Sequence, residues 1–315
     1  MSFKFVENSI KGVFPYGFCI SNKQRKRKKR ILKSKKEAEF RLQKEQEIKN
    51  YFLSLDENAV DFEILEIINH FKTGGFSIFP YKFIKKYHAS DIDVFFDKNA
   101  GMLYVMHENK RLYFPEGWKV DDVRNYYLGI CVEQDENSPH RYETSKFSVK
   151  TGDVIADIGA AEGIWALSNV EKASKIYLFE CEEQWIKALE MTFEPWKEKV
   201  VIVKKYVSNI VDKKNTTLDE WFNKKQSINF IKADIEGYEI KMFEGSKDTL
   251  KNNDDLKLLL CTYHKKDDAV NFKQTLENSG FTTEFSKGYM LFIIDNELSE
   301  PYVRRGVIRA QKDCK

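Results

Sequence analysis

The chain has 315 residues, 42% of them hydrophobic and 14% aromatic. That exceeds the about 100–200 residues of one domain and supplies an ample core, which excludes wholesale disorder. Net charge is +3, yet residues 23–36, KQRKRKKRILKSKK, hold ten of the 52 Lys and Arg and no acid, leaving 42 basic against 49 acidic residues elsewhere. A mildly acidic body with one cationic arm argues against a whole-surface nucleic-acid binder.

No apolar run approaches the roughly 20 residues of a membrane-spanning helix. The opening MSFKFVENSIKGVFPYGFCI does not read as a signal peptide. Cys19, Cys131, Cys181, Cys261 and Cys314 are scattered, with no CxxC pair. That spacing argues against a disulfide framework or a zinc motif and fits a reducing cytoplasm.

In chain order, residues 1–60 predict a short aromatic start and one long helix, because Lys23 to Phe52 contains no Gly or Pro and is rich in helix formers. Residues 61–145 predict an accessory α+β region. EILEIINHF spaces Ile64, Ile67, Ile68 and Phe71 helically, and DVFFDKNAGMLYVMHENKRLYF reads as strands turning at Lys98–Gly101 and Glu108–Asn109. From about residue 146 to 315 strands and helices alternate. Strands are expected at 154–159, 175–181, 200–207, 228–235, 256–263 and 289–295, and helices at 163–172, 183–197, 217–224, 238–251 and 267–278. Such alternation predicts a mostly parallel sheet with both faces covered, with ligands bound beyond the carboxyl ends of its strands. An antiparallel hairpin from 282–295 and the terminal RRGVIRAQK should close one edge.

The first of these strands ends in Asp157-Ile-Gly159-Ala160-Ala-Glu162-Gly163 and enters a helix. Gly159 permits a sharp turn and close ligand approach. A dinucleotide site would want GxGxxG. The spacing here is Gly-x-x-x-Gly flanked by acids, which repel phosphate and suit a ligand carrying an ammonium and a sulfonium. The stretch is similar to the glycine loop of S-adenosylmethionine-dependent methyltransferases. The next strand ends at Glu180, 17 residues after Gly163, where a carboxylate can accept from both ribose hydroxyls.

The most specific segment is Thr217-Leu218-Asp219 followed by Lys232-Ala-Asp234-Ile-Glu236-Gly237-Tyr-Glu239 and then Cys261-Thr-Tyr263-His264. These residues resemble the FkbM family of S-adenosylmethionine-dependent methyltransferases over about residues 138–311. The resemblance implies a Rossmann-like, seven-stranded, mostly parallel α/β methyltransferase sheet behind an N-terminal helical and β extension. It also implies methyl transfer from S-adenosylmethionine to a hydroxyl of a glycan or related small molecule. Asp157, Gly159, Ala160, Glu162, Gly163, Glu180, Asp234 and Glu236 would hold the donor, with Asp234 and Glu236 at its methyl end. His264 and Asp234 would be the catalytic residues, His264 orienting or deprotonating the acceptor, with His140, Tyr142 and Tyr263 binding it. A divalent metal is a second way to activate the hydroxyl, but two carboxylates two residues apart do not establish one. Glu239 reads as a helix cap, and His70, His88 and His107 read as structural.

Two other readings remain open in the sequence: an NAD-linked oxidoreductase on a similar sheet, and a non-catalytic module tethered to membrane or nucleic acid. The basic arm within residues 1–50 is the segment suited to an anionic membrane surface, each charge there contributing about 1 kcal/mol. Nucleic acid is disfavoured because aromatic side chains are not interleaved with the basic ones.

Overall fold

The computed structural model describes residues 38–222, 227–292 and 299–312. The basic run 23–36 and the aromatic start lie outside the described residues. Helices α1 (38–54) and α2 (Phe62–Thr73) come first. Strands β1 (Phe95–Asp97), β2 (Met102–His107) and β3 (Lys110–Tyr113) and helix α3 (Val120–Glu133) follow. The alternating part runs β4 (Val154–Ile158), α4 (Ile164–Asn169), β5 (Lys175–Phe179), α5 (Glu183–Phe193), β6 (Val200–Val203), β7 (Tyr206–Val207), β8 (Asn215–Thr216), α6 (Leu218–Trp221) and β9 (Phe230–Ala233). It continues with α7 (Glu239–Glu244), α8 (Lys247–Asn252), β10 (Lys257–Cys261), α9 (Asp268–Asn278) and β11 (Phe281–Phe285). The last strands are β12 (Met290–Leu291), β13 (Val303–Arg304) and β14 (Val307–Lys312).

The chain divides into two compact units, residues 1–82 with 289–304, and residues 83–288 with 305–315. In the first, α2 begins where Asp61 accepts from the Ile64 amide at 2.9 Å. Its apolar face meets that of α1 through Ile48, Phe52, Ile67, Ile68 and Phe71, joined by Leu291 and Tyr302. Phe52 and Phe71 stack at 5.7 Å. The short β12–β13 ribbon belongs to this unit. Among the described residues no helix is long and apolar enough to cross a membrane.

The second unit holds the seven-stranded sheet, in the order β11-β14-β10-β9-β4-β5-β6. All pairs are parallel except those of β14, which runs antiparallel to both β10 and β11. This is the expected α/β sheet. Its central strands are buried along their length, as strands covered on both faces require. The chain winds from β4 outward to β6 and then returns to the other side of β4 as β9, so the switch point lies between β4 and β9. The register there sets Asp157 opposite Lys232. The three-stranded sheet β1–β3 turns at Glu108 and Asn109, both with positive φ (48° and 64°), the backbone a two-residue hairpin turn demands.

Several expected elements differ in extent. The 289–295 strand is confined among the described residues to Met290–Leu291, and it pairs in the first unit rather than closing the sheet. As expected, an antiparallel pair from 282–295 and the terminal RRGVIRAQK closes the edge: it is β11 with β14, and β14 is inserted beside β10. The 200–207 run splits, because β7 leaves β6 to pair with β8. The 238–251 helix breaks into α7 and α8 at Gly245, where a Cβ would lie 2.2 Å from the Ser208 carbonyl oxygen.

Candidate active site at the strand tips

The turn after β4 is built from residues that cannot be exchanged freely. Gly159 has φ +71°, and a Cβ there would lie 2.1 Å from the Asp234 carbonyl oxygen. Two adjacent strand tips thus touch through bare backbone. Beneath them Lys232 forms a buried ion pair with Asp157 at 2.8 Å and donates to the Gly159 carbonyl at 3.0 Å. Asp157 is therefore neutralised by a partner and braces the turn from below. Gly163 also has positive φ (77°), but its missing Cβ makes room for Leu189, at 2.7 Å, and Phe193, at 2.9 Å. The glycine therefore serves the packing of α4 on α5.

Glu180 lies just past β5. Its Oε1 accepts from the Cys181 and Glu182 amides, both at 2.7 Å, and its Oε2 from the Ala161 amide at 2.9 Å. These bonds bind the second strand tip to the glycine turn. They use three of the about four lone-pair sites a carboxylate offers, which leaves capacity for a hydroxyl. Glu162 is buried and accepts from the Tyr126 hydroxyl at 2.9 Å; burial pushes its pKa up to about 7. Glu162, Asp157, Ala160, Lys232, Tyr142 and Glu133 line a cavity of about 20 Å³. That is room for a water.

The tip of β9 carries the densest polar network. Asp234 accepts from the Tyr142 hydroxyl at 3.3 Å and from the Tyr263 hydroxyl at 3.1 Å, and pairs with His264 Nε2 at 3.1 Å. The other ring nitrogen of His264 pairs with Glu239 Oε1 at 2.9 Å. Burial opposes charge on His264, but the two carboxylates outweigh it and lift its pKa to about 9. Burial would likewise raise Asp234, yet His264 and Lys232 hold it well below the usual carboxylate range. The array is thus an imidazolium between two carboxylates. Only Asp234 within it reaches solvent appreciably, its side chain being 20% exposed against 5% for His264 and 0% for Glu239.

The turn that presents Asp234 is strained. Glu236 adopts φ +56° and Gly237 φ +89°, and Lys265 Nζ donates to the Gly237 carbonyl at 2.7 Å. Glu239 also accepts from the Ile235 amide at 3.2 Å. It therefore ties the turn as a cap would, but from a fully buried position and with His264 on its other side.

His140 is 1% exposed and lies behind the array, between the rings of Tyr142 and Tyr263 at 5.0 and 5.2 Å. Burial lowers its pKa to about 4, so the imidazole is neutral. Arg309 on β14 fixes this segment by donating to the carbonyls of Tyr142 (2.8 Å) and Arg141 (2.5 Å). The fold thus gathers Asp157, Gly159, Ala160, Glu162, Glu180, Asp234, His140, Tyr142, Tyr263 and His264 at one sheet edge. Sequence reasoning passed over Lys232, Glu133 and Cys261 as site residues. A lysine within the apolar run INFIKADI was a signal for the first; α3 gave none for Glu133.

The chemistry of this edge suits a cationic methyl donor. The Gly159 turn packs bare backbone against the Asp234 tip, and an uncommitted lone pair of Glu180 stands beside it. The sheet order and the glycine turn define a Rossmann-like α/β fold with a seven-stranded, mostly parallel sheet. Residues 198–295 match the model of the methyltransferase FkbM domain.

Among solved structures, the chain is similar to a methyltransferase FkbM from Methylobacillus flagellatus KT, at 16% identity over 61% of this chain with a TM-score of 0.42. The match covers 53% of that protein, so the chain spans about half its length. It is also similar to precorrin-6y C5,15-methyltransferase from Geobacter metallireducens GS-15, at 16% identity over 54% of this chain and 84% of that one, with a TM-score of 0.38. A third is a putative methyltransferase from Streptococcus mutans in complex with SAH, at 14% identity over 52% and 90% of the two chains, with a TM-score of 0.34. No curated protein matches the sequence.

Proposed function

We propose that the chain transfers a methyl group from S-adenosylmethionine to a hydroxyl acceptor, with a sugar hydroxyl of a glycan as the acceptor class. The observation that carries this reading is the contact of the Gly159 turn with the Asp234 tip, with Glu180 bonded to the same turn. It supports a donor held on one side and an acceptor on the other. When bound, S-adenosylmethionine supplies a methyl group already made electrophilic by its sulfonium.

The Gly159 turn and Glu180 would hold the adenosine, Glu180 through one ribose hydroxyl. Asp234, ionised and partly open to solvent, accepts the hydrogen bond of the acceptor hydroxyl and takes its proton. A weakly basic carboxylate is adequate for this, because a hydroxyl oxygen that has begun to bond carbon is strongly acidic. Tyr142, Tyr263 and His264 fix Asp234 in place, so the hydroxyl is aimed before reaction; such positioning is a large part of the barrier reduction. His264 is charged and has a carboxylate on each nitrogen, so it orients rather than deprotonates.

Calorimetric titration with S-adenosylhomocysteine and with NAD tests the donor. Binding of the first and none of the second is expected; the reverse would make the chain an oxidoreductase. His264→Ala should retain S-adenosylhomocysteine affinity and lose turnover by roughly 10²-fold through misplacement. An unchanged rate would remove His264 from the mechanism.

The reading extends to a lipid-linked glycan on the inner membrane face, with the basic run 23–36 as the docking segment. Its support is the charge asymmetry alone. Removing residues 1–37 spares Ile48 and Phe52, which belong to a core. Equal co-sedimentation of both forms with anionic vesicles would eliminate the docking role.

A further inference from the structure

Three side chains of metal-ligand type meet where β9 and β10 end. His140, Asp234 and Cys261 each place one ligand atom within 4.8 Å of the others. His140 Nε2 and Cys261 Sγ are 3.6 Å apart. Two ligands of a tetrahedral zinc, at bond lengths of about 2.1 Å for nitrogen and 2.3 Å for sulfur, stand roughly 3.5 Å apart. The pair is therefore already at ligand spacing, and a ligand atom of Asp234 within 4.8 Å of both stands near enough to complete a face after a small shift.

The surroundings are those of a supported site. Carboxylate–histidine pairs orient metal-bound imidazoles, and Glu133 Oε2 stands 3.8 Å from His140 Nδ1, which has no hydrogen-bond partner among the described residues. Asp234 is steadied by two tyrosine hydroxyls. Lys232 is paired with Asp157 and the His264 imidazolium is shared between Asp234 and Glu239, so the cluster holds more carboxylate than cationic charge and a metal cation would share Asp234 with His264. The other described cluster, Glu239, His264 and Asp268, has its imidazole committed to the Asp234–Glu239 array.

We propose that His140 Nε2, Cys261 Sγ and the Asp234 carboxylate bind one zinc-class divalent cation, with a fourth position open toward the strand tips. The mixed nitrogen, sulfur and oxygen set favours zinc or cobalt over magnesium or calcium. Binding converts the Cys261 thiol to a metal thiolate and releases its proton to solvent. Resting on the methyl-transfer reading, the open position would receive the acceptor hydroxyl and make it easier to deprotonate. The binding itself does not depend on that reading.

The test is titration of the chelator-stripped full chain with cobalt(II) alone. One equivalent should produce tetrahedral ligand-field absorption together with a thiolate-to-cobalt charge-transfer band. Cys261→Ser should lose the charge-transfer band. Glu133→Gln, which leaves all three ligands in place, should weaken cobalt affinity roughly 10–100-fold. Absence of both absorptions in the native chain overturns the proposal, as does a charge-transfer band that survives Cys261→Ser or an affinity indifferent to Glu133→Gln. S-adenosylhomocysteine binding to the stripped chain, measured separately, reports on the donor site, so either reading can fail without the other.

Discussion

A methyl group added at residue 159 would have to sit 2.1 Å from the Asp234 carbonyl oxygen while the backbone kept a φ of +71°. Both requirements act against any side chain there, so Gly159→Ala should cost about 1–3 kcal/mol in strain alone. It should also abolish measurable S-adenosylhomocysteine binding. Thermal unfolding and calorimetry on the same preparation check the two effects. Glu162 makes a pH-dependent contribution. Burial lifts its pKa from 4.5 to about 7, so the folded chain keeps a proton that the unfolded chain loses. The stability this confers is complete below pH 4.5 and fades as pH rises through 7. Glu162→Gln removes the titration and should flatten that stretch of the stability profile by roughly 3 kcal/mol. Urea unfolding of both forms across pH 4–8 measures it, and identical profiles would show that Glu162 is not buried as described.

At the scale of elements, the motif-bearing run from 217 to 239 divides into parts with different duties. Thr217 caps α6 by accepting from the Glu220 amide at 3.1 Å. Asp219 caps α8, accepting from Thr249 N at 2.7 Å and Asp248 N at 3.2 Å. Asp219→Ala should therefore cost about 1 kcal/mol of stability and leave S-adenosylhomocysteine affinity intact; a loss of affinity without loss of stability would place Asp219 in the site. Lys232, by contrast, joins β9 to β4 inside the sheet. Lys232→Met leaves Asp157 buried without a partner and should cost about 3–5 kcal/mol. The double variant Asp157→Asn with Lys232→Met should regain part of that loss in urea unfolding. Asp234, Glu236 and Glu239 fall on one strained turn, which is why residues so close in sequence take separate positions: at the open tip, in the left-handed backbone, and in full burial.

Across the whole molecule, the sequence by itself determined the alternation of buried strands and helices, the glycine turn after β4, the acid at the end of β5 and the family of the segment between 198 and 295. These are local matters, set by apolar periodicity, by backbone freedom at single glycines and by motif spacing, and a linear reading reaches them. Only the tertiary structure decided that Met290–Leu291 pairs outside the seven-stranded sheet and that β14 is inserted next to β10. It alone brought Lys232 against Asp157, set His264 between two carboxylates, and placed Cys261 beside a histidine 121 positions earlier. Spacing rules exclude a zinc motif because they see neighbours along the chain. The charge of a buried group depends on which partners the sheet register delivers, and that register is fixed by packing over the whole core.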